Sequence, residues 1–323
     1  MVKTSLNQPA VLVTGANGFI GNALCEELLR SGHVVRGALR SADSGITAVE
    51  SQVVGKINGK TDWSEALRNV EVVIHLAARV HVMNDHSSDP LTEFRRVNVD
   101  GSLNLAKQAA RAGVKRLIYL SSVKVNGELT VPGHPFKESD IANPQDAYGL
   151  SKLEAEQGLL LIARETGLEV VIIRPPLVYG QGVKANFAGM MRAVKRRMPL
   201  PLGAIRNSRS FVYVGNLVSL ITTCMHHPAA ANQVFLVSDG GDLSTTQLLQ
   251  ECASALGVKS RLWPVPQGLI EGLAAIVGKR DVVQRLCGNL QVDISKAKKL
   301  LGWTAPISLA DGLKETVLGF KRH

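Results

Sequence analysis

Cysteines are few in this sequence of 323 residues, and long apolar runs are missing. The four cysteines, Cys25, Cys224, Cys252 and Cys287, lie far apart with no CxxC pair, which predicts reduced thiols and no metal site. No apolar run reaches about 18 residues, so no membrane span is expected. The first ten residues, MVKTSLNQPA, are polar and lack the apolar stretch of a secretory signal, which favours a cytoplasmic protein.

Acidic residues are in the minority: 27 of them face 37 lysines and arginines, for a net charge of +10. The positive residues are dispersed, and their densest run, RAVKRR at 192–197, fits either the solvated face of a helix or a field that attracts a polyanionic substrate. No zinc knuckle, basic zipper or aromatic-basic RNA motif accompanies this run. We therefore expect no nucleic acid among the partners.

Short apolar runs alternate with segments of helical spacing through the first half of the chain. The predicted strands are 10–14, 33–39, 52–57, 72–77, 116–121 and 169–174, with a later one at 233–237. The predicted helices are 19–31, 62–68, 90–112 and 147–166. This alternation predicts an α/β protein with a doubly wound parallel (Rossmann) sheet at 1–174. The pattern loosens from Pro175, which predicts a smaller C-terminal α/β substrate lobe at 175–323, with the chain able to cross between the lobes.

The stretch VLVTGANGFIG, residues 11–21, places three glycines between the first strand and the first helix. This is the context of the dinucleotide-binding fingerprint. Gly15 permits a tight turn, Gly18 lets the backbone approach a pyrophosphate, and Gly21 lets the helix pack closely on the strand. Free N–H groups at the start of the helix favour phosphate. The alternative is a turn with no ligand.

A tyrosine and a lysine, Tyr148 and Lys152, lie four residues apart in AYGLSK and project from one face of a predicted helix. A free tyrosine has a pKa of about 10, which a neighbouring ammonium together with a positive nicotinamide ring would lower. Tyr148 would then exchange a proton with a substrate whose oxygen is held by Ser122, at the end of the preceding predicted strand. The alternative is that Tyr148 and Lys152 form a surface pair with no function. The glycine loop upstream argues against this alternative.

These motifs resemble the extended short-chain dehydrogenase/reductases, in particular the NAD(P)-dependent nucleotide-sugar epimerase/dehydratase/reductase family. The matching segments span nearly the whole chain: TGANGFIG (14–21), HLAA (75–78), VNVDG (97–101), LSSVKVNG (120–127), YGLSK (148–152), RPPLVYG (174–180), SRSFVYVGNL (208–217) and DISKAKKLLGW (293–303). The resemblance implies an enzyme with Ser122, Tyr148 and Lys152 as its catalytic residues. It also implies a homodimer, formed through the long helices near 90–112 and 147–166.

The resemblance implies binding residues as well. Those for the cofactor are Gly15, Asn17, Gly18, Phe19, Ile20, Gly21, Arg40, Leu76, Ala77, Ala78, Asn98, Tyr148, Lys152 and Pro175. Those for a UDP-sugar are Ser122, Asn186, Arg209 and Arg285. Asn98 would also anchor the helix that carries Tyr148. No residue has metal-ligand spacing, and His75, in an apolar strand, is expected to be a hydrogen-bonded core histidine.

The sequence departs from the family at several positions. Leu39 stands where NAD-using members carry an acid for the ribose hydroxyls, and Arg40 suits a 2′-phosphate. Lys56 stands where relatives often place an aspartate that faces the adenine. These departures favour NADP(H), with NAD(H) possible. Lys124 and Asn126, after Ser122, are similar to a subgroup associated with bacterial surface polysaccharides (O-antigen and lipopolysaccharide), which includes reductases of UDP-4-keto-6-deoxy-N-acetylhexosamines.

Two activities at C4 of a UDP-sugar remain open. The favoured one is reduction of a UDP-4-keto-6-deoxy-N-acetylhexosamine, because weak binding of the adenosine part suits a cofactor that is released in every catalytic cycle. The alternative is a UDP-hexose 4-epimerase acting on a glucose or N-acetylglucosamine substrate. A dehydratase would need acids where Val123 and Lys124 stand. A non-catalytic sensor or scaffold of the same fold would be expected to lack Tyr148 or Lys152.

Overall fold

A parallel sheet of seven strands runs through the protein, and a second sheet of three strands lies in the C-terminal half. In chain order the strands are β1 (Ala10–Thr14), β2 (Val34–Leu39), β3 (Glu50–Val53), β4 (Val70–His75), β5 (Arg116–Leu120), β6 (Glu169–Arg174), β7 (Leu177–Tyr179), β8 (Arg209–Tyr213), β9 (Val234–Leu236) and β10 (Asp242–Leu243). The computed structural model describes residues 8–42, 49–80, 89–183, 185–276, 278 and 280–321, but not the side chains of residues 185, 186, 280, 281 and 320–321.

Eleven α-helices lie within these described ranges. They are α1 (Phe19–Arg30), α2 (Pro90–Phe94), α3 (Gly101–Arg111), α4 (Ala147–Thr166), α5 (Ala185–Lys195), α6 (Val214–His226), α7 (Thr245–Leu256), α8 (Gln267–Ile276), α9 (Arg280–Cys287), α10 (Ser295–Leu301) and α11 (Leu309–Lys321). None of them, within the described residues, is long and apolar enough to cross a membrane.

The seven-stranded sheet has the order β3-β2-β1-β4-β5-β6-β9, and all of its pairings are parallel. Alternate strand residues face opposite layers: Val11 and Val13 of β1 pack with α1 and α6, whereas Leu12 packs with α3 and α4. Helices thus cover both faces, which confirms the predicted doubly wound fold. The strand order reverses between β1 and β4, and the carboxyl ends of these strands open a crevice suited to a ligand.

The three-stranded sheet, β10-β8-β7, belongs to a smaller lobe in which α5, α7 and α11 share a core. Arg174 ends β6, and the chain then enters this lobe through β7. It returns to the large sheet at β9, which pairs with β6 through Ile172 and Val234. The predicted domain boundary after Arg174 stays a prediction. Two later elements, α6 and β9, pack with the first lobe, so the chain crosses between the lobes after this point.

Two predicted helices differ from the structure. In place of the predicted helix 62–68, residues 64–69 form turns, with hydrogen bonds from the Leu67 N–H to the Trp63 carbonyl at 2.9 Å and from the Arg68 N–H to the Glu65 carbonyl at 3.3 Å. The Trp63 N–H bonds instead to the side chain of Gln108, so a distant contact fixes this segment. The predicted helix 90–112 consists of α2, a π-helical segment at Arg95–Asp100 and α3. Such wide turns often occur at functional sites.

Candidate active site

The glycine loop joins β1 to α1 and has almost no room for side chains. Gly15 has a left-handed φ of +68°, and a Cβ there would lie 3.0 Å from the backbone nitrogen of Ala77. A Cβ on Gly21 would lie 2.1 Å from the carbonyl oxygen of Gly15. Gly18 precedes α1 without a side-chain cap, so the first N–H groups of α1 face the loop. The loop is a backbone cradle that accepts an anion at a helix N-terminus.

A cavity of about 750 Å³ opens above this loop. Its lining contains the predicted cofactor residues Gly15, Asn17, Arg40, Ala77 and Ala78. The lining also contains residues that were not predicted to bind, among them Ser41, Lys56, Asn58, Arg96 and Val97. The basic residues of the lining are Arg40, Lys56, Arg79 and Arg96, whereas none of the described residues that line it is acidic. The cradle and this positive lining fit the dianionic pyrophosphate of a dinucleotide.

The other predicted cofactor residues lie around this cavity rather than in its lining. Gly18, Phe19, Ile20 and Gly21 form the junction between the loop and α1. Leu76 packs against the core beneath it. Pro175 is buried, and its carbonyl accepts a hydrogen bond from the Val123 N–H at 3.0 Å. Leu39 does line the cavity and is also buried, while Asp43, the next acidic residue along the chain, lies outside the described residues.

Asn98 is buried in the π-helical segment and ties two parts of the site together. Its side-chain amide donates to the carbonyl of Arg79 and to the hydroxyl of Ser151 on α4, both at 3.0 Å. Its side-chain oxygen accepts the Arg79 N–H at 2.8 Å. Asn98 therefore links the segment after β4 to α4, which is the contact that an anchor of this helix requires.

Tyr148 and Lys152 lie on the first two turns of α4, which begins after the side-chain cap Asp146. The Lys152 ammonium donates to the Leu120 carbonyl at 2.8 Å and lies 5.9 Å from the centroid of the Tyr148 ring. The Ser122 side chain lies near the Tyr148 hydroxyl and lowers the pKa of Tyr148. The structure thus brings the three predicted catalytic residues to one place, at the carboxyl end of β5.

Burial shifts the pKa of both titratable members of this group. It raises the pKa of Tyr148 to about 12, with a smaller upward contribution from the Asp146 carboxylate and a downward one from the Ser122 hydroxyl. It lowers the pKa of Lys152 to about 7, against the stabilising charge of Glu156. Lys152 alone therefore does not make Tyr148 acidic, and a second positive charge is needed to favour the phenolate.

A buried polar network that the sequence did not reveal lies beneath Lys152. Glu156, one turn further along α4, pairs with Arg174 at the end of β6, with a shortest separation of 2.5 Å. Asn126 accepts a hydrogen bond from Arg174 at 3.0 Å, and the Ser121 hydroxyl donates to Glu156. The spacing of Glu156 from Lys152 places both on one helix face, but nothing in the sequence identifies Arg174 as the partner.

His75 confirms its predicted structural role. Its two ring nitrogens are hydrogen-bonded to Thr14 at 2.6 Å and to Ser102 at 2.9 Å. Burial lowers the pKa of His75 to about 3, so the ring is neutral near pH 7. Among the described residues no group of three histidine, cysteine, aspartate or glutamate side chains is placed to hold a metal ion.

A second cavity, of about 470 Å³, adjoins the first, since Val80 lines both. Of the predicted residues, Ser122, Tyr148, Arg209 and Arg285 line it. It is also lined by Lys124, Glu128, Leu129, Leu177, Gln284 and Leu290, which were not predicted to bind a substrate. Arg209 donates to the Gly288 carbonyl at 2.9 Å, which fixes its position. Asn186 lies at the start of α5, and its side chain is outside the described part of the chain.

Comparisons with known proteins agree with this arrangement. A model of the NAD dependent epimerase/dehydratase family matches residues 11–238. The sequence is 50% identical over 316 residues to a UDP-glucose 4-epimerase of Vibrio cholerae, covering 96% of this chain and 95% of that protein. The fold matches the crystal structure of UDP-glucose 4-epimerase with UDP-glucose from Thermotoga maritima, with a TM-score of 0.77, 26% identity and coverage of 97% and 99%. MoeE5 in complex with UDP-glucuronic acid and NAD matches with the same TM-score, identity and coverage.

These comparisons correct the expected activity. Reduction of a UDP-4-keto-6-deoxy-N-acetylhexosamine is wrong as the main prediction, because the relative that is 50% identical along nearly the whole chain is a 4-epimerase. The reductase prediction depended on Leu39 and Lys56, and on the likeness of Lys124 and Asn126 to a subgroup that includes reductases. Leu39 and Lys56 were expected to weaken adenosine binding, and the strength of that binding does not determine whether a hydride stays with the substrate. The family description and the MoeE5 complex name NAD, and the expected preference for NADP(H) has no support in them.

Proposed function

The chain belongs to the NAD dependent epimerase/dehydratase family, and on that premise we propose that it is a UDP-hexose 4-epimerase with UDP-glucose as its first candidate substrate. The observation that carries the proposal is the 50% identity to a UDP-glucose 4-epimerase, which extends over both lobes and so over both cavities. The catalytic group of Ser122, Tyr148 and Lys152 is consistent with it, because a 4-epimerase needs a single proton carrier at the C4 hydroxyl.

NAD is the proposed cofactor, and the glycine cradle with Gly15, Gly18 and Gly21 would hold its pyrophosphate. Bound NAD supplies a hydride acceptor and donor for C4, and its positive ring favours the Tyr148 phenolate. Arg40 and Lys56 would lie on the adenosine side of the 750 Å³ cavity. Lys152 would bind the nicotinamide ribose hydroxyls, since its ammonium is fixed by the Leu120 carbonyl.

Tyr148 is the proposed acid and base. Its hydroxyl group would take the proton from the substrate C4 hydroxyl and give it back after the sugar has exposed its other face. Ser122 would hold the same substrate oxygen, since its side chain lines the same cavity as Tyr148. The apolar lining around these residues, including Leu129, Leu177 and Leu290, would exclude water from the keto intermediate.

The diphosphate of the substrate would lie near Arg209 and Arg285 in the 470 Å³ cavity. An arginine donates through a planar fork that matches phosphate oxygens, and Arg209 is held in place by the Gly288 carbonyl. Burial lowers the pKa of Arg209, which stays charged at neutral pH and gains from an anionic partner. Asn186 remains a proposed contact of the same diphosphate.

The test is incubation with UDP-glucose in the absence of reduced cofactor, followed by NMR of the product. We expect UDP-galactose to form until the two sugars reach equilibrium, with no net change in NADH absorbance. UDP-N-acetylglucosamine is the second substrate to test. No interconversion of either sugar by protein that binds NAD would contradict the proposal, and Tyr148→Phe is the matched inactive control.

We also propose a possible use of NADP, a homodimer and a role in polysaccharide synthesis. Arg40 makes NADP worth testing beside NAD. A homodimer through the helices near 90–112 and 147–166 is tested by sedimentation. A role in surface-polysaccharide synthesis in the cytoplasm is tested by deleting the gene and analysing the polysaccharide.

A further inference from the structure

Three charged side chains form a cluster at the edge of the substrate cavity. The Lys124 ammonium donates to the Glu128 carboxylate at 3.0 Å and also to the Asp146 carboxylate. Each of the three side chains is only about one-third exposed, at 31%, 33% and 29%. Charges that are partly covered in this way are screened less than charges on an open surface. Lys124 lines the same cavity as Ser122 and Tyr148.

Asp146 has a structural role that brings its charge close to the catalytic tyrosine. One of its carboxylate oxygens caps α4 by accepting the Gly149 N–H at 2.7 Å. Tyr148 lies in the turn that this cap begins, and the negative charge of Asp146 raises the pKa of Tyr148. The cap that starts α4 thus opposes the phenolate that a base at Tyr148 requires.

The backbone holds Lys124 against this cap. A Cβ on Gly149 would lie 2.9 Å from the Lys124 carbonyl oxygen and 3.2 Å from the Asp146 carboxylate. Only a glycine therefore lets the turn after β5 pack directly on the first turn of α4. This contact places the Lys124 ammonium on the carboxylate oxygen of Asp146 that does not cap the helix.

We propose that Lys124 is a positioning residue for the acid–base step, because its ammonium neutralises Asp146 and so keeps the helix cap from opposing ionisation of Tyr148. The inference rests on the proposed function, in which Tyr148 moves a proton. It gives a role to the lysine two residues after Ser122: the backbone N–H of Lys124 donates to the Ser122 hydroxyl at 3.2 Å, whereas its ammonium donates to Glu128 and Asp146 at the edge of the cavity.

Several other ionisable groups face Tyr148 or its cavity. They are Lys152 on α4, Tyr119 on β5, and Glu128, Arg209 and Arg285 in the cavity lining or beside it. Burial raises the pKa of Tyr119, which stays neutral and contributes no charge. The two arginines would be paired with the substrate diphosphate. Asp146 is the carboxylate that shifts the pKa of Tyr148 upward, and Lys124 is bonded to it.

The test is a double-mutant cycle with Lys124→Met and Asp146→Asn. Methionine keeps most of the length of the lysine without its charge, and asparagine caps a helix about as well as aspartate does. The readout is the ionisation midpoint of Tyr148, followed by the ¹³Cζ NMR signal of labelled tyrosine in NAD-bound protein and assigned with Tyr148→Phe. This midpoint is measured without turnover, and the pH dependence of kcat gives a second reading.

We expect Lys124→Met to raise the midpoint by about one pH unit, because the Asp146 charge is no longer neutralised. The rate at neutral pH then falls by up to tenfold and recovers at higher pH, since a one-unit shift changes the phenolate fraction about tenfold. Asp146→Asn lowers the midpoint, and the double variant returns close to the wild type. Lys124→Arg keeps the charge and keeps the wild-type midpoint.

A matched control is Lys314→Met on α11, which removes an exposed ammonium paired with Asp311 at 3.1 Å. It leaves the Tyr148 midpoint in place. An unmoved midpoint in Lys124→Met, or a double variant that keeps the shift of Lys124→Met, would overturn the inference. Failure of the protein to epimerise any UDP-hexose, with the predicted midpoint shifts intact, would instead count against the proposed function alone.

Discussion

The two cavities are built in different ways. The glycine loop of the 750 Å³ cavity, here called the cofactor cleft, is made from backbone: its carbonyl and N–H groups are exposed, and a Cβ on Gly21 would lie 2.1 Å from a carbonyl oxygen. The surroundings of Ser122, Tyr148 and Lys152, here called the catalytic corner, depend instead on pairs of opposite charges: Glu156 with Arg174, which is buried, and Lys124 with Asp146, which is about one-third exposed. We therefore expect the glycine loop to be sensitive to added atoms, and the catalytic corner to be sensitive to the loss of one member of a charged pair.

The largest expected effect is the loss of stability when one charge of the Glu156–Arg174 pair is removed. Arg174→Met leaves the Glu156 carboxylate buried without its partner, and we expect the free energy of unfolding to fall by about 3–5 kcal/mol. The double variant Arg174→Met with Glu156→Gln removes both charges and regains a large part of this loss. Denaturation in urea measures both values. Equal stability of the single and double variants would show that the cost of Arg174→Met does not come from an unpaired Glu156 carboxylate.

The next effect is on the reaction. Tyr148→Phe removes one hydroxyl group from a site where Phe94 packs edge-on against the ring, so fold and NAD binding are retained. The rate of epimerisation falls by at least about a hundredfold, the usual scale for a lost general acid or base. Initial rates from product NMR, with thermal melting as the control for folding, check this. Turnover within a few-fold of the wild type would remove Tyr148 from its role.

The cofactor cleft is tested by adding a single methyl group. Gly21→Ala pushes a Cβ into the carbonyl oxygens of Gly15 and Ala16, which costs about 1–3 kcal/mol of stability or an equivalent loss of NAD affinity. Gly272, within α8, has open space around its Cβ position. Gly272→Ala is therefore the matched control and gains about 0.5–1 kcal/mol. Calorimetric titration with NAD and melting curves measure NAD affinity and stability for both variants. Equal effects of Gly21→Ala and Gly272→Ala would contradict a glycine loop with no room for a Cβ at Gly21.

The same contrast explains what the sequence could predict. The glycine spacing, the Tyr148–Lys152 pair and the alternation of strands and helices are local patterns, so β1, α1, α4 and the catalytic group follow from the sequence. The pairing of Glu156 with Arg174 joins residues 18 positions apart, and that of Lys124 with Asp146 joins residues 22 apart. Such pairs depend on how α4 packs on β5 and β6. The turns at 64–69 were missed for a similar reason, since Gln108 holds Trp63.

The smallest expected effect concerns Arg40 at the edge of the cleft. Its side chain lines the cavity but is exposed, so a charge contact with a 2′-phosphate would be worth little. Arg40→Ala is expected to weaken NADP binding by up to about fivefold and to change NAD binding by less than about twofold. Fluorescence titration of both cofactors checks this. Equal losses for the two cofactors would show that Arg40 contacts a part that they share.

In the proposed epimerase reaction, the hydride removed from C4 returns to the same sugar. The most direct measurement uses UDP-glucose that carries deuterium at C4, mixed with protein and an excess of unlabelled NADH. The account predicts UDP-galactose that retains the deuterium at C4, with no label in the free cofactor. UDP-galactose with protium at C4, or a 4-keto sugar reduced at the expense of NADH, would contradict it.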